Sequence, residues 1–436
     1  MRFYNRKSEI AALKEIEARA KKNAQMTVVM GRRRVGKTAI LKQAFTATPV
    51  LYFFIERKTE SLLCEEFIQQ VEHVLNINVF GEIKTFKSLF AFLMKQSETK
   101  RFTLILDEFQ ELNKVNEAIF SEMQNVWDSG KNNSKINLVI CGSIYSMMKR
   151  IFENYKEPLY GRATSKLFID TFNISTIKEI LAENNSKYKN EDLLSFFMLT
   201  GGIAKYTEQL VDISALSKNA MFDSIFTAGS FFLSEGKDVL VDEFGKDYGT
   251  YFSILSLIAS SKTDRSSIES ILGFDTGGFL TRLEDEYGII KRKRPFGAKE
   301  GSRSNKYIIE DCFLNFWFRF IYKYRSAVEI GNLEYVKDIV KRDYETYSGI
   351  ILEKYFKEKL KESKKFSDIQ SYWDRKGENE IDIIAVNDIK KIINFYEVKR
   401  NKKRINLDSL KKKSQNILAN YPDYKASFIP LSMEDM

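Results

Sequence analysis

Histidine is almost absent from this sequence, and cysteine is scarce. His73 is the single histidine among 436 residues, which excludes catalysis or zinc binding by a histidine cluster. The three cysteines, Cys64, Cys141 and Cys312, lie far apart without C-x-x-C spacing, so we expect neither a disulfide framework nor a zinc site. No uncharged apolar run approaches the roughly 18 residues of a membrane span, and the amino terminus MRFYNRKSE is too polar for a signal peptide. These absences predict a soluble cytoplasmic protein with no membrane partner.

The composition predicts a globular protein with more than one domain. Hydrophobic residues make up 44% of the chain and charged residues 29%, a balance typical of folded proteins. A length of 436 residues suits two or three domains, each with room for its own core. The net charge of +10 favours a polyanionic partner.

Residues 27–42, TVVMGRRRVGKTAILK, have the pattern of a phosphate-binding loop between a strand and a helix. Glycines let successive backbone N–H groups point at one anion, and the following helix adds its positive end. Lys37 is expected to reach the β- and γ-phosphates of a nucleotide, and the Thr38 hydroxyl to bind Mg²⁺. The alternative is an ordinary glycine-rich turn, which the flanking pattern disfavours. The predicted ligands are Gly31, Arg34, Gly36, Lys37, Thr38 and Ala39.

Three later segments supply the rest of the predicted site. The strand-like run FTLILDEFQ ends in Asp107, expected in the Mg²⁺ shell, and Glu108, expected to polarise the attacking water. A further strand ends at Ser143, which either senses the γ-phosphate or caps a helix. Arg162 either stabilises phosphoryl charge, in its own chain or a neighbouring subunit of a homo-oligomer, or is a surface arginine. Strands alternating with helices predict an α/β core with a parallel sheet.

The first half of the chain resembles the archaeal-type ATPase family, within the AAA+/STAND group of P-loop proteins. The matching pieces are FYNRKSEI, GRRRVGKT, LILDEFQ, ICGS, PLYGRAT and TGGIAKY. The chain departs from the family at Lys7, where an acid is usual, and at Ala204, often a proline. The resemblance implies an ATP-hydrolysing core at 1–165 and a helical lid at 166–245. It assigns ATPase roles to Gly31, Gly36, Lys37, Thr38, Asp107, Glu108, Ser143 and Arg162.

Residues 246–312 read as a winged helix-turn-helix. Three short helical patterns are followed by a strand–loop–strand, and between Lys291 and Lys306 there are seven basic residues and one acid. Such a hairpin suits phosphate contact and predicts DNA as a partner. A solvated hairpin or a protein-binding module is the alternative. The acids of the third helix, 284–286, count against its insertion into a groove.

The carboxyl-terminal segment, 313–436, brings two carboxylates and a lysine together. A turn between 389 and 390 places Asp382 opposite Glu397, and Lys399 shares the face of Glu397. A divalent cation would offset the cost of burying these charges, and oxygen ligands suit Mg²⁺ or Mn²⁺. Metal-assisted phosphodiester hydrolysis is the chemistry that this set predicts.

This arrangement resembles the PD-(D/E)xK nuclease superfamily. The resemblance implies metal binding by Asp382 and Glu397, water activation or charge stabilisation by Lys399, and Glu353 as the acid of the preceding helix. An inactive copy of the fold is the alternative. Residues 399–413 carry eight basic residues against one acid, which suits either a phosphate-backbone track or a solvated helix face.

The expected architecture is therefore an α/β P-loop NTPase core with a parallel sheet and a helical lid, then a winged helix-turn-helix and an α/β nuclease-like domain. The expected function is that of an ATP-hydrolysing, DNA-directed protein with a metal-dependent nuclease site. The alternative is a nucleotide-switched regulatory ATPase whose carboxyl-terminal modules only bind partners.

Overall fold

The computed structural model describes residues 1–46, 48–299, 301, 304–374 and 378–436. The chain forms two compact units. The amino-terminal unit is Asn5–Asp170, and the carboxyl-terminal unit consists of Thr171–Met436 together with Met1–Tyr4.

The amino-terminal unit is built on five parallel strands in the order β2-β3-β4-β1-β5. The strands are β1 (Gln25–Met30), β2 (Val50–Phe54), β3 (Thr103–Asp107), β4 (Asn137–Cys141) and β5 (Ser165–Phe168). The helices are α1 (Lys7–Arg19), α2 (Lys37–Ala44), α3 (Glu60–Leu75), α4 (Phe86–Gln96), α5 (Leu112–Val115), α6 (Ile119–Gly130) and α7 (Tyr145–Glu153). The predicted parallel α/β core is confirmed. Strand β5 crosses the predicted core boundary at 165, so the sheet extends beyond it.

Both faces of this sheet are covered. Strands β1, β3 and β4 are buried throughout, as expected for parallel strands between two helical layers. Val28 packs with α3, α4 and α6 on one face, and its neighbour Val29 packs with α1 and α2 on the other. The carboxyl ends of the strands therefore form one open edge, where α2 begins.

The carboxyl-terminal unit is mainly helical and contains two smaller sheets. Its helices are α8 (Ile174–Asn184), α9 (Asn190–Thr200), α10 (Ala204–Asp212), α11 (Lys218–Ile225), α12 (Phe231–Phe244), α13 (Tyr248–Ala259), α14 (Arg265–Leu272), α15 (Gly277–Thr281), α16 (Cys312–Phe316), α17 (Arg325–Glu329), α18 (Leu333–Glu362) and α19 (Leu407–Leu418). Its strands are β6 (Ile290–Lys293), β7 (Lys306–Ile309), β8 (Asp368–Trp373), β9 (Glu380–Asn387), β10 (Ile392–Val398) and β11 (Lys425–Leu431). Helices α15 and α16 continue as π-helical turns, Arg282–Glu286 and Trp317–Tyr322.

The segment predicted as a winged helix has three helices followed by an antiparallel hairpin. Helix α14 begins at Arg265, where the Asp264 carboxylate caps it by accepting a hydrogen bond from the Ser267 N–H. Strands β6 and β7 are paired from Ile290 opposite Ile309 to Lys293 opposite Lys306. Of the predicted basic hairpin, residues 300, 302 and 303 lie outside the described part of the chain. The order of elements agrees with a winged helix, and its DNA-binding role stays a prediction.

The carboxyl-terminal sheet has the order β11-β10-β9-β8, and helix α18 packs on one face and α19 on the other. Strand β9 is antiparallel to β8 and β10, whereas β10 and β11 are parallel. Ile384 pairs with Gln370 and Ile381 pairs with Tyr372, so β9 has two residues between these pairs where β8 has one. Strand β9 therefore bulges at 382–383. Bulges redirect side chains, and here the bulge includes Asp382.

The predicted lid, winged helix and carboxyl-terminal segment share one hydrophobic cluster. It runs from α8 through α16 and α18 to Ile383 and Val398 on one face of the sheet. These three predicted domains therefore pack as one body. No helix in the described residues has the length and apolar character needed to cross a membrane.

Candidate nucleotide and metal sites

The loop between β1 and α2 has the backbone of a phosphate cradle. Gly31, Arg34 and Gly36 have φ values of 152°, 73° and 92°. A Cβ at residue 31 would lie 2.4 Å from the carbonyl oxygen of Ile169, so only glycine fits there. The close approach of Ile169, directly after β5, therefore requires a glycine at position 31 whether or not a ligand binds the loop.

Lys37 and the start of α2 complete the cradle. The buried Lys37 Nζ donates to the carbonyl oxygens of Gly31 at 2.8 Å and Arg32 at 2.9 Å, which folds the side chain back along the loop. Helix α2 begins at Lys37 without a side-chain cap, so its first turn presents the N–H groups of Thr38 and Ala39. The predicted ligands thus lie on the loop and the first turn of α2 that follows it.

Thr38 and Asp107 meet as expected for ligands of Mg²⁺. The Thr38 hydroxyl lies 3.2 Å from Asp107 Oδ2, and the Tyr52 hydroxyl donates to the same carboxylate. Burial, followed by the hydrogen bond to Asp107, raises the pKa of Tyr52, which keeps its hydroxyl protonated as a donor. A hydroxyl and a carboxylate form the oxygen-only donor set that Mg²⁺ prefers. Sequence reasoning missed Tyr52, although a polar tip within a buried strand was a usable signal.

Glu108 is held in place by two side chains. Its backbone is left-handed, with φ 54°, and its Oε2 accepts hydrogen bonds from Ser143 Oγ at 2.6 Å and Gln110 Nε2 at 2.5 Å. The helix-capping alternative for Ser143 is wrong, because α7 begins at Tyr145 after Ile144. Ser143 instead positions the predicted catalytic carboxylate. Gln110 was not foreseen from the sequence.

Arg162 lies near the amino ends of the sheet strands, whereas the phosphate loop lies at their carboxyl ends. It pairs with Asp128 at 3.2 Å and donates to the carbonyl of Tyr160 at 2.9 Å. Two residues later, the Thr164 N–H binds the carbonyl of Met26, near the start of β1. The phosphate loop follows the other end of β1, so it lies roughly 20 Å from the start of that strand at about 3.3 Å per residue. Arg162 therefore cannot reach a nucleotide in its own chain, and the prediction of a role in cis is wrong.

In the carboxyl-terminal unit, the structure brings Asp382, Glu397 and Lys399 together. Lys399 Nζ lies 3.1 Å from Asp382 Oδ2 and 3.7 Å from Glu397 Oε1. The Val398 N–H also donates to Asp382 Oδ2, at 2.7 Å. Strand pairing ends at Ile383 with Tyr396, and one more step places Asp382 opposite Glu397, as the turn position predicts. Both carboxylates are largely buried, with 11% and 14% of their side chains exposed.

Glu353 of α18 interacts electrostatically with this cluster. Burial, then the charge of Asp382, raises the pKa of Glu353 to about 7. Among the residues that the structure describes, no three histidine, cysteine or carboxylate side chains form a ready metal-binding group. The Lys399 ammonium instead occupies the space between the two carboxylates.

Replacing Glu353 with glutamine is expected to stabilise the protein at high pH. A carboxyl whose folded pKa lies above its ordinary 4.5 binds more protons in the folded state, so its contribution to stability falls as pH rises from about 4.5 to 7. Glu353→Gln should raise the melting temperature by about 2–4 °C at pH 8 and by less than about 1 °C at pH 5. Calorimetry checks this, with Glu345→Gln on the exposed side of α18 as control. An equal shift at both pH values would contradict the assignment.

The basic segments are less exposed than the sequence suggests. Arg400, the second residue of the predicted phosphate track, donates to Ser348 Oγ at 2.7 Å and pairs with Glu191 of α9. In the hairpin, Lys306 pairs with Glu380 at 3.1 Å, and Phe296 is buried against the carboxyl-terminal sheet. Lys402, Lys403 and Arg404 are exposed, as a track requires.

Comparisons with known proteins give the family of the chain. A family profile described as an ATPase domain predominantly from Archaea matches residues 3–210. An uncharacterized protein of Methanocaldococcus jannaschii is 30% identical, over 97% of this chain and 94% of its own length. The chain belongs to this archaeal ATPase family. A second profile, of archaeal and bacterial proteins of unknown function, matches residues 317–417.

A solved structure has a similar fold. The Walker-type ATPase paby2304 of Pyrococcus abyssi is 19% identical, with a TM-score of 0.56, over 72% of this chain and 96% of its own. The Aeropyrum pernix ORC2 protein is 14% identical, over 78% of this chain and 94% of its own. Its TM-score is 0.47. The predicted archaeal P-loop ATPase family is confirmed, whereas the winged-helix and nuclease assignments stay predictions.

Proposed function

We propose that this member of the ATPase family hydrolyses ATP at Gly31–Thr38 and acts on DNA through a metal-dependent nuclease site in its carboxyl-terminal unit. The observation that supports hydrolysis most strongly is the position of Glu108, held by Ser143 and Gln110 directly after Asp107. A carboxylate fixed in this way can orient a water and accept its proton.

The residues of the ATP site have separate tasks. Lys37 and the N–H groups at the start of α2 bind the phosphates, while Thr38 and Asp107 hold Mg²⁺. When bound, Mg²⁺ neutralises charge on the phosphate oxygens. Arg162 is a candidate for completing the site of a neighbouring subunit in a homo-oligomer, since its own site is out of reach.

The nuclease proposal rests on the meeting of Asp382, Glu397 and Lys399. Two carboxylates hold a divalent cation well, and a lysine beside them can bind a phosphate oxygen or an activated water. The half-buried Glu353 adds a third carboxylate nearby, and the exposed basic residues at 402–404 suit the DNA backbone.

Cleavage of a linear DNA duplex by the full-length protein tests this proposal. We expect products with Mg²⁺ or Mn²⁺ and none with a chelator present, as read on a denaturing gel. An intact duplex with every metal, at enzyme concentrations equal to those of the DNA, would contradict it.

One observation favours a second function, a nucleotide-switched regulatory ATPase whose winged helix and inactive nuclease-like domain only bind DNA or protein. The Lys399 ammonium lies between Asp382 and Glu397, where an active site would hold its metal. Binding of the duplex without cleavage, together with ATP turnover, would support this alternative.

A further inference from the structure

Gln110 is a buried side chain whose amide is only half satisfied. Its Nε2 donates to Glu108 Oε2 at 2.5 Å. Its Oε1 is also buried and, among the residues that the structure describes, receives no hydrogen bond. A buried acceptor without a donor lowers stability, and such atoms are rare in native proteins. This one lies directly beside the predicted catalytic carboxylate.

The chemistry of Glu108 fixes the direction of this amide. An ionised carboxylate only accepts hydrogen bonds, so the amide nitrogen of Gln110 must face it. The amide oxygen then points the other way, against Gly142. A Cβ at residue 142 would collide with this oxygen and would lie 2.6 Å from the sulfur of Met148. The glycine at 142 therefore leaves room for Gln110 in the orientation that Glu108 requires.

The backbone brings these two side chains together. Residues two positions apart on a regular helix do not face each other. Glu108 has a left-handed backbone, with φ 54°, and the 3₁₀ turn Phe109–Glu111 follows it directly. Such a conformation is uncommon for a residue with a side chain, and it occurs preferentially at functional sites. The change of direction at residue 108 is what allows its contact with Gln110.

Both donors to Glu108 act on the same oxygen. Ser143 Oγ donates to Oε2 at 2.6 Å, and Gln110 Nε2 donates to it as well. Within the described part of the chain, no hydrogen bond reaches the other oxygen, Oε1. Hydrogen bonds to a charged oxygen make it a weaker base. Oε1 is therefore the better placed of the two oxygens to take a proton.

We propose that Gln110 is a positioning residue for ATP hydrolysis. Together with Ser143 it holds Oε2 of Glu108, so that Oε1 accepts the proton of the attacking water. In this step the water oxygen bonds to the γ-phosphorus and its proton passes to Oε1. The bond from that phosphorus to the β,γ-bridging oxygen breaks, and its electron pair stays on ADP. This inference rests on the proposed hydrolysis and deepens it.

Methionine in place of Gln110 tests this role in the full-length protein. The substitution nearly conserves the volume of the side chain but removes the donor to Glu108. It is expected to slow phosphate release at saturating ATP and Mg²⁺ by about 10-fold or more, because the carboxylate loses its alignment. Affinity for a fluorescent ATP analogue should stay within about twofold of the wild type. Gln70→Met, an exposed position on α3, is the control and should match the wild type in both measurements.

The same substitution in the Glu108→Gln protein separates positioning from structure. Under single-turnover conditions, Gln110→Met should lower the residual rate of that protein by less than about twofold, since no carboxylate is left to position. An equal loss with Glu108 and with Gln at that position would show that Gln110 supports the fold, and it would overturn the proposal.

The remaining outcomes also decide the matter. Because Gln110→Met removes a buried acceptor that lacks a donor, it should melt at the wild-type temperature or above it. A lower melting temperature together with lost binding of the analogue would mark Gln110 as structural and overturn the proposal. Unchanged phosphate release by Gln110→Met would overturn this inference alone. A wild-type protein that binds the analogue but releases no phosphate would contradict the proposed hydrolysis and this inference with it.

Discussion

Glutamine in place of Glu108 is expected to lower ATP turnover by about 10²–10⁴-fold while ATP still binds. The amide can accept the hydrogen bond from Ser143 and fill the same space, but it cannot take a proton from water. Phosphate release under saturating ATP measures turnover, and equilibrium binding of a fluorescent ATP analogue measures affinity.

Glu117→Gln is the matched control, because Glu117 is an exposed carboxylate in the same unit. It should turn over ATP like the wild type. If Glu108→Gln retained more than about a tenth of the wild-type rate, Glu108 would not be the general base.

Alanine in place of Asp382 is expected to abolish metal-dependent DNA cleavage. The substitution removes one of the two carboxylates that face Lys399 and the acceptor of the Val398 N–H. A loss of about 10³-fold or more is expected for an essential metal ligand. Rates of product formation with Mg²⁺ and with Mn²⁺ measure the effect.

Asp408→Ala controls for loss of charge, since that side chain is 95% exposed near the start of α19. Its cleavage rate should match the wild type. Equal cleavage by Asp382→Ala and the wild type would place the cutting activity elsewhere or in a contaminant.

The ATP site was largely predictable because its signals are local. Gly31, Gly36, Lys37 and Thr38 lie within eight residues, and Asp107 follows a strand whose apolar run is unmistakable. In parallel sheets the carboxyl ends of strands share one edge, so the meeting of Thr38 with Asp107 follows from the pattern alone.

The location of Arg162 relative to the ATP site could not be predicted from local sequence. Its position after a glycine in a loop carries no information about which edge of the sheet the loop occupies. That depends on the pairing of β5 with β1, a contact between residues more than 130 positions apart. Tyr52 and Gln110 were missed for a related reason, since their roles depend on the direction of side chains within a packed core.

In the carboxyl-terminal unit, the register of the β9–β10 hairpin was predictable from the sequence. The contacts of this hairpin with distant segments were not. A short turn fixes pairing, so Asp382 and Glu397 were correctly placed. The docking of the β6–β7 hairpin depends on Phe296, whose N–H donates to the carbonyl of Ser371 in β8. No local pattern reports such a contact between distant segments.

The most direct test of the central claim, that this chain hydrolyses ATP at the loop between β1 and α2, is the steady-state turnover of Lys37→Ala. Lys42→Ala, an exposed lysine of the same helix, is the control. We predict that Lys37→Ala loses at least about 100-fold in turnover, whereas Lys42→Ala hydrolyses ATP at the wild-type rate. Equal turnover by Lys37→Ala and the wild type would contradict the account.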